Sequence, residues 1–132
     1  MLSLPEYISK AGVLGHPLNF SWDDDDPELV YAIEDVRLQD RISSTSDRGQ
    51  LVLSCGFSEW IAWRLKEYCE DPMLFNKIEA IYAGVIDWRY MSNCKLPKSN
   101  DWNGPVRGSL WAATNLLDDM IDLVKRNQFA TP

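Results

Sequence analysis

Carboxylates at a metal-binding spacing occur near the C-terminal end of the chain, in the run DDMID at residues 118–122. In a helix, Asp118 and Asp122 lie one turn apart on one face. Two carboxylates in that arrangement can share a hard cation such as Mg²⁺. Lys125 and Arg126 follow Asp122 by three and four positions, a spacing that forms ion pairs on a helix surface. The ion pairs are the simpler interpretation, so we predict no metal site and no cofactor.

Two families of enzyme are relevant to these acids. The D-D-x-x-D run is similar to the magnesium-binding run of prenyl-diphosphate synthases and terpene cyclases. Those enzymes are all-helical but longer, and they need a second acidic cluster across a deep cavity. Glu67 and Glu70, taken with Asp119 and Asp122, resemble the paired carboxylates of all-helical nucleotide pyrophosphatases. A small magnesium-dependent helical hydrolase that uses these four residues is therefore the enzyme alternative.

A second acidic run, Asp23 to Asp26, directly precedes Pro27. It lacks the alternating ligands and the turn glycine of a dedicated calcium loop. Asp26-Pro27 instead predicts an N-cap followed by proline at the first helical position. The preceding aspartates suit the positive end of the helix dipole. The run is thus typical of a solvated cap, and its charge would attract a basic partner.

Nucleophilic and zinc chemistry have little support in the sequence. His16 is the only histidine, and it lies in a Gly-His-Pro loop without a recognisable nucleophile motif. The three cysteines, Cys55, Cys69 and Cys94, are odd in number and unrelated in spacing, which argues against a disulfide framework. We therefore expect reduced thiols in a cytoplasmic protein, with Cys55 and Cys69 filling the core.

The net charge of −7 is confined to the first 47 residues, which hold ten acidic and three basic side chains. The remaining residues hold ten of each sign. Such an acidic segment speeds encounter with a basic partner and repels phosphates, so we expect a protein partner and no nucleic acid. The N-terminus lacks the basic start and apolar stretch of a secretory signal, and no apolar run is long enough for a membrane span. No membrane partner is expected.

Six tryptophans are many for a chain of 132 residues. Tryptophan buries a large area in cores and is common in binding hot spots. Trp60 and Trp63 share one predicted helix, where one could serve the core while its neighbour meets a partner. Trp102 lies in a polar loop, and both packing onto the core and exposure as an interface anchor fit its position.

Hydrophobic periodicity predicts an all-α fold, an irregular bundle of four main helices plus a short N-terminal helix, in a single domain over residues 1–132. The short helix runs from Leu4 to Ala11, begins with a capping box at Ser3 and Glu6, and stops at Gly12. The first main helix begins after Asp26-Pro27 and ends near residues 41–43, with Leu29, Ile33 and Val36 on one face.

The other three helices are predicted from caps and apolar stripes. The second runs from about Arg48 to Glu70 with Ser46 or Asp47 as cap, and a strand over residues 51–53 is its alternative. The third follows Asp71-Pro72 and reaches about Met91, with a core stripe at Leu74, Ile78, Ile81, Val85 and Trp88. After a loop over residues 92–104, the last helix opens at Gly104-Pro105 and has Lys125 and Arg126 in its final turn. Its stripe is Val106, Leu110, Ala113, Leu117, Ile121 and Val124.

This chain is small, acidic, rich in tryptophan and predicted to be helical, and it has no active-site motif. In this general character it resembles bacterial immunity proteins, which neutralise a cognate toxin. The resemblance is one of general character, and the stretches SEWIAWRLKEYCEDP (58–72) and WNGPVRGSLWAATNLL (102–117) carry it best. It implies a tight complex in which acidic and aromatic groups cover the basic cleft of a toxin. Catalytic residues would then belong to the partner and not to this chain.

The leading hypothesis is therefore an immunity or antitoxin protein that inhibits a basic toxin by protein–protein interaction. A structural or adaptor subunit of a phage or secretion assembly is a further alternative, and so is a homodimer. The predicted partner-binding residues are Asp23, Asp24, Asp25, Asp26, Glu34, Asp35 and Trp102.

Overall fold

The structure, a computed structural model, describes residues 2–25, 36–91 and 100–130, which form α-helices and no strand. The predicted all-α class is confirmed, because four of the five helices in these ranges are substantial. Within the same ranges, no helix combines the length and the hydropathy needed to cross a bilayer. The helices are α1 (Glu6–Ala11), α2 (Val36–Ser43), α3 (Asp47–Leu65), α4 (Met73–Ile86) and α5 (Pro105–Ala130), with short 3₁₀ helices at Trp88–Tyr90 and Asn100–Trp102.

The first helix, α1, stops where the sequence predicts but starts differently. Gly12 follows it with a φ of 65°, the left-handed conformation that glycine adopts without a Cβ penalty. Its N-cap is Pro5, and no side chain caps it, so the predicted capping box at Ser3 and Glu6 does not form. The carbonyl of Pro5 instead accepts hydrogen bonds from the N–H groups of Ile8 and Ser9.

The long helix α3 begins at the predicted cap. The Ser46 hydroxyl accepts a hydrogen bond from Gly49 N–H at 3.1 Å, and the strand alternative for residues 51–53 is replaced by helix. The helix ends at Leu65 and not at Glu70, so the predicted end was wrong. Asp71 supports the start of the next helix, since its Oδ1 accepts a hydrogen bond from Met73 N–H at 3.0 Å.

The ends of α4 and α5 also differ from the prediction. Helix α4 stops at Ile86, and the chain continues in a 3₁₀ turn before Met91. Asp87 caps that turn by accepting a hydrogen bond from Arg89 N–H at 3.0 Å. Helix α5 continues to Ala130, so Lys125 and Arg126 do not lie in its final turn.

The core lies where α3 packs against α4 and α5, with α4 and α5 also in contact and Ile8 of α1 fully buried. The predicted stripes of α4 and α5 are confirmed in their central positions, whereas Val85, Trp88 and Val106 are half-buried at the margin. The buried apolar cluster consists of Ile8, Leu51, Cys55, Ala62, Trp63, Leu65, Leu74, Phe75, Ile78, Ile81, Met91, Leu110, Ala113, Leu117, Ile121 and Val124.

Helix α2 lies on the surface and contributes no buried residue. Its predicted end near residues 41–43 is confirmed. Val36, which the apolar spacing assigns to one face with Leu29 and Ile33, is 63% exposed. Leu29 and Ile33, like the predicted cap at Asp26, lie outside the described residues.

A buried ion pair joins α4 to α5. The Lys77 ammonium contacts the Asp118 carboxylate, and the two side chains are 12% and 0% exposed. Removing a charge from water is costly, and only a close partner of opposite sign offsets the cost. The pair therefore fixes how the two helices face each other.

We expect Lys77→Met to lower the free energy of unfolding by about 3–5 kcal/mol, because the substitution leaves the Asp118 charge uncompensated in the interior. Urea unfolding followed by circular dichroism measures the loss. The double variant Lys77→Met/Asp118→Leu should recover most of it, since both charges are then absent. Lys10→Met, which breaks the exposed pair with Glu6, is the control and should leave stability nearly unchanged. Equal losses in the Lys77 and Lys10 variants would contradict the interpretation.

Candidate functional site

The described aspartates of the acidic run, Asp23 to Asp25, differ in their exposure to solvent. Asp24 is half-buried, and its Oδ1 accepts hydrogen bonds from Trp22 Nε1–H and from Gly104 N–H, both at 2.8 Å. These bonds tie the loop after α1 to the beginning of α5. Asp23 and Asp25 are exposed, and Asp23 Oδ1 accepts a hydrogen bond from Asp25 N–H at 2.9 Å. Asp24 thus has a structural role, whereas Asp23 and Asp25 present their charges to solvent.

Trp22 fixes the same junction by close packing. A Cβ atom on Gly108 would lie 2.6 Å from Trp22 Nε1, so only glycine allows the indole to approach α5 this closely. Trp102 is half-buried against the core, with the Arg107 guanidinium 4.7 Å from its ring centroid. Arg107 also donates a hydrogen bond to the carbonyl of Asp101. Of the two readings of Trp102, the structure shows the packed one, and its contact with a partner stays a prediction.

Asp26, Glu34 and Asp35, three of the predicted partner-binding residues, lie outside the described residues. His16, which the sequence places in a turn, is exposed, and its carbonyl accepts hydrogen bonds from Arg64 and from the Tyr68 hydroxyl. These bonds hold the loop after α1 against α3.

The candidate metal run at residues 118–122 does not present its acids to one site. Asp118 is fully buried against Lys77, Asp119 is exposed, and Asp122 is half-buried. Within the part of the chain that the structure describes, no three histidine, cysteine, aspartate or glutamate side chains are placed to hold a metal ion.

The four carboxylates of the hydrolase alternative are also not assembled. Glu67 and Glu70 line a cavity of about 780 Å³ whose walls include Trp63 and Phe75. Asp119 and Asp122 belong to α5 and are not among the described residues that line this cavity. No geometry among the described residues supports magnesium chemistry by this quartet.

A different region gathers unusual side chains: a cleft of about 500 Å³ between α1, α3 and α4, called here the aromatic cleft. Gly56 and Tyr82 line it together with five large side chains that are each at least 37% exposed. The rings of Tyr7 and Trp60 are stacked, with centroids 6.3 Å apart and an angle of 26° between the planes. The five exposed side chains are Tyr7, Val52, Leu53, Phe57 and Trp60.

A buried carboxylate lies directly behind this cleft. Glu59 is 5% exposed, and its Oε1 accepts a hydrogen bond of 2.5 Å from the Tyr82 hydroxyl. Burial, this hydrogen bond and the Glu59 charge raise the pKa of Tyr82 above its ordinary value. Burial and then the Glu59 charge also raise the pKa of Tyr7. Glu59 is therefore close to two residues that line the aromatic cleft, Tyr7 and Tyr82.

Cys55 lies close to the same carboxylate. Its side chain is fully buried, and burial followed by the Glu59 charge raises the pKa of its thiol to about 12. Cys55 is thus a core residue, as predicted, and its thiol is protonated at neutral pH. Cys69 is half-buried and packs against the core cluster, and both are free thiols.

Sequence reasoning identified Trp60 and Trp63 but missed the cleft. Trp63 is buried in the core and Trp60 is exposed, the division of roles that their spacing allows. Glu59 and Tyr82 lie 23 positions apart on different helices, so no local motif joins them. The one available signal was an acidic residue at position 59, inside a stretch that is otherwise apolar or small.

Comparisons with protein-family models, with curated proteins and with solved structures found no match to this chain. The assignment of a function therefore depends on the geometry and electrostatics described above.

We expect Asp24→Ala to lower the free energy of unfolding by about 1–3 kcal/mol, because two N–H donors lose their common acceptor. Asp25→Ala is the control, because it removes the same charge from the adjacent, exposed position, and it should leave stability nearly unchanged. Thermal or urea unfolding measures both variants. The same loss in both would show that charge, and not the hydrogen bonds of Asp24, controls stability here.

We expect Cys55 to resist alkylation by iodoacetamide in the native protein. With a pKa of about 12, only about 10⁻⁴ of the thiol is ionised at about pH 8, and the thiolate is the reactive form. Cys69 should react faster because it is partly accessible. Mass spectrometry of peptides after timed labelling measures both rates, and denaturant should make Cys55 reactive. Rapid native labelling of Cys55 would refute its assignment to a sealed core.

Proposed function

We propose that this chain is a binding protein of the immunity or antitoxin type, which neutralises a basic toxin by covering part of its surface. The observation that carries the proposal is the aromatic cleft. Large exposed apolar patches are rare on proteins that act alone, and they commonly mark interaction sites. Trp60 and Tyr7 are residue types that dominate binding hot spots, and they are stacked and thus held in place before a partner arrives.

The charge distribution supports a basic partner. The chain carries a net charge of −7, and the exposed Asp23 and Asp25 belong to the segment that holds this excess. Charge of one sign steers a partner of opposite sign toward the complex and raises the association rate. Burial of aromatic side chains then slows dissociation, which is the step that sets most differences in affinity. Asp26, Glu34 and Asp35 would add to this steering.

The proposed setting is the bacterial cytoplasm, where Cys55 and Cys69 would remain reduced. A neutralising protein needs no catalytic group of its own, and the toxin supplies the chemistry. The complex would be a stable heterodimer, with neither nucleic acid nor membrane as a partner.

The toxin is sought among the products of adjacent reading frames. We expect co-expression of this chain to restore growth to cells that produce the toxin.

With the purified pair, the association rate should fall at least about tenfold between low salt and about 0.5 M NaCl, because salt screens the steering charges. Stopped-flow fluorescence of the tryptophans measures the rate. The double variant Asp23→Asn/Asp25→Asn should associate more slowly at low salt and dissociate at an unchanged rate.

The matched control is Glu67→Gln/Glu70→Gln, which removes two exposed carboxylates outside the acidic segment. It should affect association less than the aspartate variant. An association rate that does not change with salt concentration would show that the acidic segment does not steer the partner. Self-association of the chain in sedimentation experiments, with no growth rescue, would favour the structural or adaptor subunit instead.

A further inference from the structure

The aromatic cleft is open at its floor because α3 has a glycine there. A Cβ on Gly56 would meet only the Tyr7 hydroxyl oxygen, at 3.8 Å, which is ordinary van der Waals contact. Alanine would therefore fit, and in a helix interior alanine is more stable than glycine. The fold does not require glycine at this position, and its effect is to leave space in front of the Tyr7 hydroxyl.

The walls of the cleft suit a cation that carries an apolar stem. None of its described lining residues is charged, and three of them, Tyr7, Trp60 and Tyr82, are aromatic residues of the types whose rings attract ammonium and guanidinium groups. Phe57 and Val52 supply apolar contact for a methylene chain. A neutral apolar ligand would fit these walls equally well, so the walls alone do not favour a cationic ligand.

Glu59 favours a cation. It is a buried carboxylate whose hydrogen-bond partner is the neutral hydroxyl of Tyr82, and no ion pair joins it to a cation among the described residues. Asp118, the other buried acid of the described residues, has the Lys77 ammonium against it. A buried charge is strongly stabilised by an opposite charge brought close in a medium of low dielectric constant. A cation in the cleft therefore gains most beside Tyr82, whose hydroxyl is bonded to Glu59.

We infer that the aromatic cleft is the docking site for a lysine or arginine side chain of the protein partner, held against the rings that line the cleft and attracted by Glu59. The inference rests on the proposed function and adds the chemistry of the contact. A second copy of this chain is a less suitable occupant, because two chains of net charge −7 repel each other.

The first experiment needs no partner. N-acetyl-arginine amide is titrated into the isotopically labelled full chain and followed by NMR, with N-acetyl-citrulline amide as the uncharged analogue of the same shape. We expect saturable shifts at the Gly56 amide and the Trp60 indole N–H, with a millimolar dissociation constant typical of so small a ligand. The citrulline compound should bind at least about tenfold more weakly, because it lacks the charge.

Variants then locate the site. Glu59→Gln keeps an oxygen acceptor for Tyr82 but removes the charge, and it should weaken arginine amide binding at least about tenfold. Gly56→Leu fills the floor and should abolish binding, while Leu116→Ala on α5 should leave it unchanged. If Glu59→Gln does not fold, the comparison of the arginine and citrulline compounds with the natural sequence still tests whether the cleft selects a positive charge. Equal binding of both compounds, or shifts confined to another surface, would overturn the inference.

The partner complex separates this inference from the proposed function. With a toxin identified by growth rescue, Glu59→Gln and Gly56→Leu should each raise the dissociation rate at least about tenfold. Neutralisation that both folded variants retain at full affinity would refute the docking site and leave the proposed function intact. Arginine amide binding at the cleft in a chain that neutralises no toxin would refute the function and leave the cation site.

Discussion

Helix α3 has apolar side chains around more of its circumference than the other helices can cover, and this constraint shapes the whole molecule. Burial of apolar surface is the main favourable term in folding, so the bundle forms around Leu51, Cys55 and Trp63. The opposite side of the same helix, with Phe57 and Trp60, remains exposed. The short helix α1 places Tyr7 against it. The fold thus leaves an aromatic surface exposed to solvent.

Two buried carboxylates show how the same physical cost leads to different outcomes. Asp118 is compensated by the Lys77 ammonium, which makes it a structural element of the contact between α4 and α5. Glu59 has the hydroxyl of Tyr82 as its hydrogen-bond partner, and this bond satisfies one oxygen without cancelling the charge. Burial raises the pKa values of Tyr7, Tyr82 and Cys55, and the nearby Glu59 carboxylate raises them further. A buried carboxylate thus forms an ion pair at one position and a hydrogen bond with a neutral hydroxyl at the other.

The acidic segment also combines two roles. Asp24 accepts hydrogen bonds that attach the loop after α1 to α5, together with the packing of Trp22 on Gly108. Its neighbours Asp23 and Asp25 are exposed, so the anchor determines where their charges point. Asp24 differs from its neighbours because it is half-buried and accepts a hydrogen bond from Gly104 N–H, in a distant part of the chain. Long-range steering by exposed charge and local attachment by a buried one are compatible within a single run.

Local chemistry decided the features that the sequence alone could determine. The stripes of α4 and α5, the cap at Ser46 and the stop at Gly12 follow from helical periodicity and from the needs of unpaired backbone groups, which act within a few residues. Which side of α3 is buried, where the helices end, and the meeting of Glu59 with Tyr82 were decided only in the tertiary structure. These outcomes depend on contacts between distant segments, since α3 is apolar on both sides and its own pattern cannot choose between them.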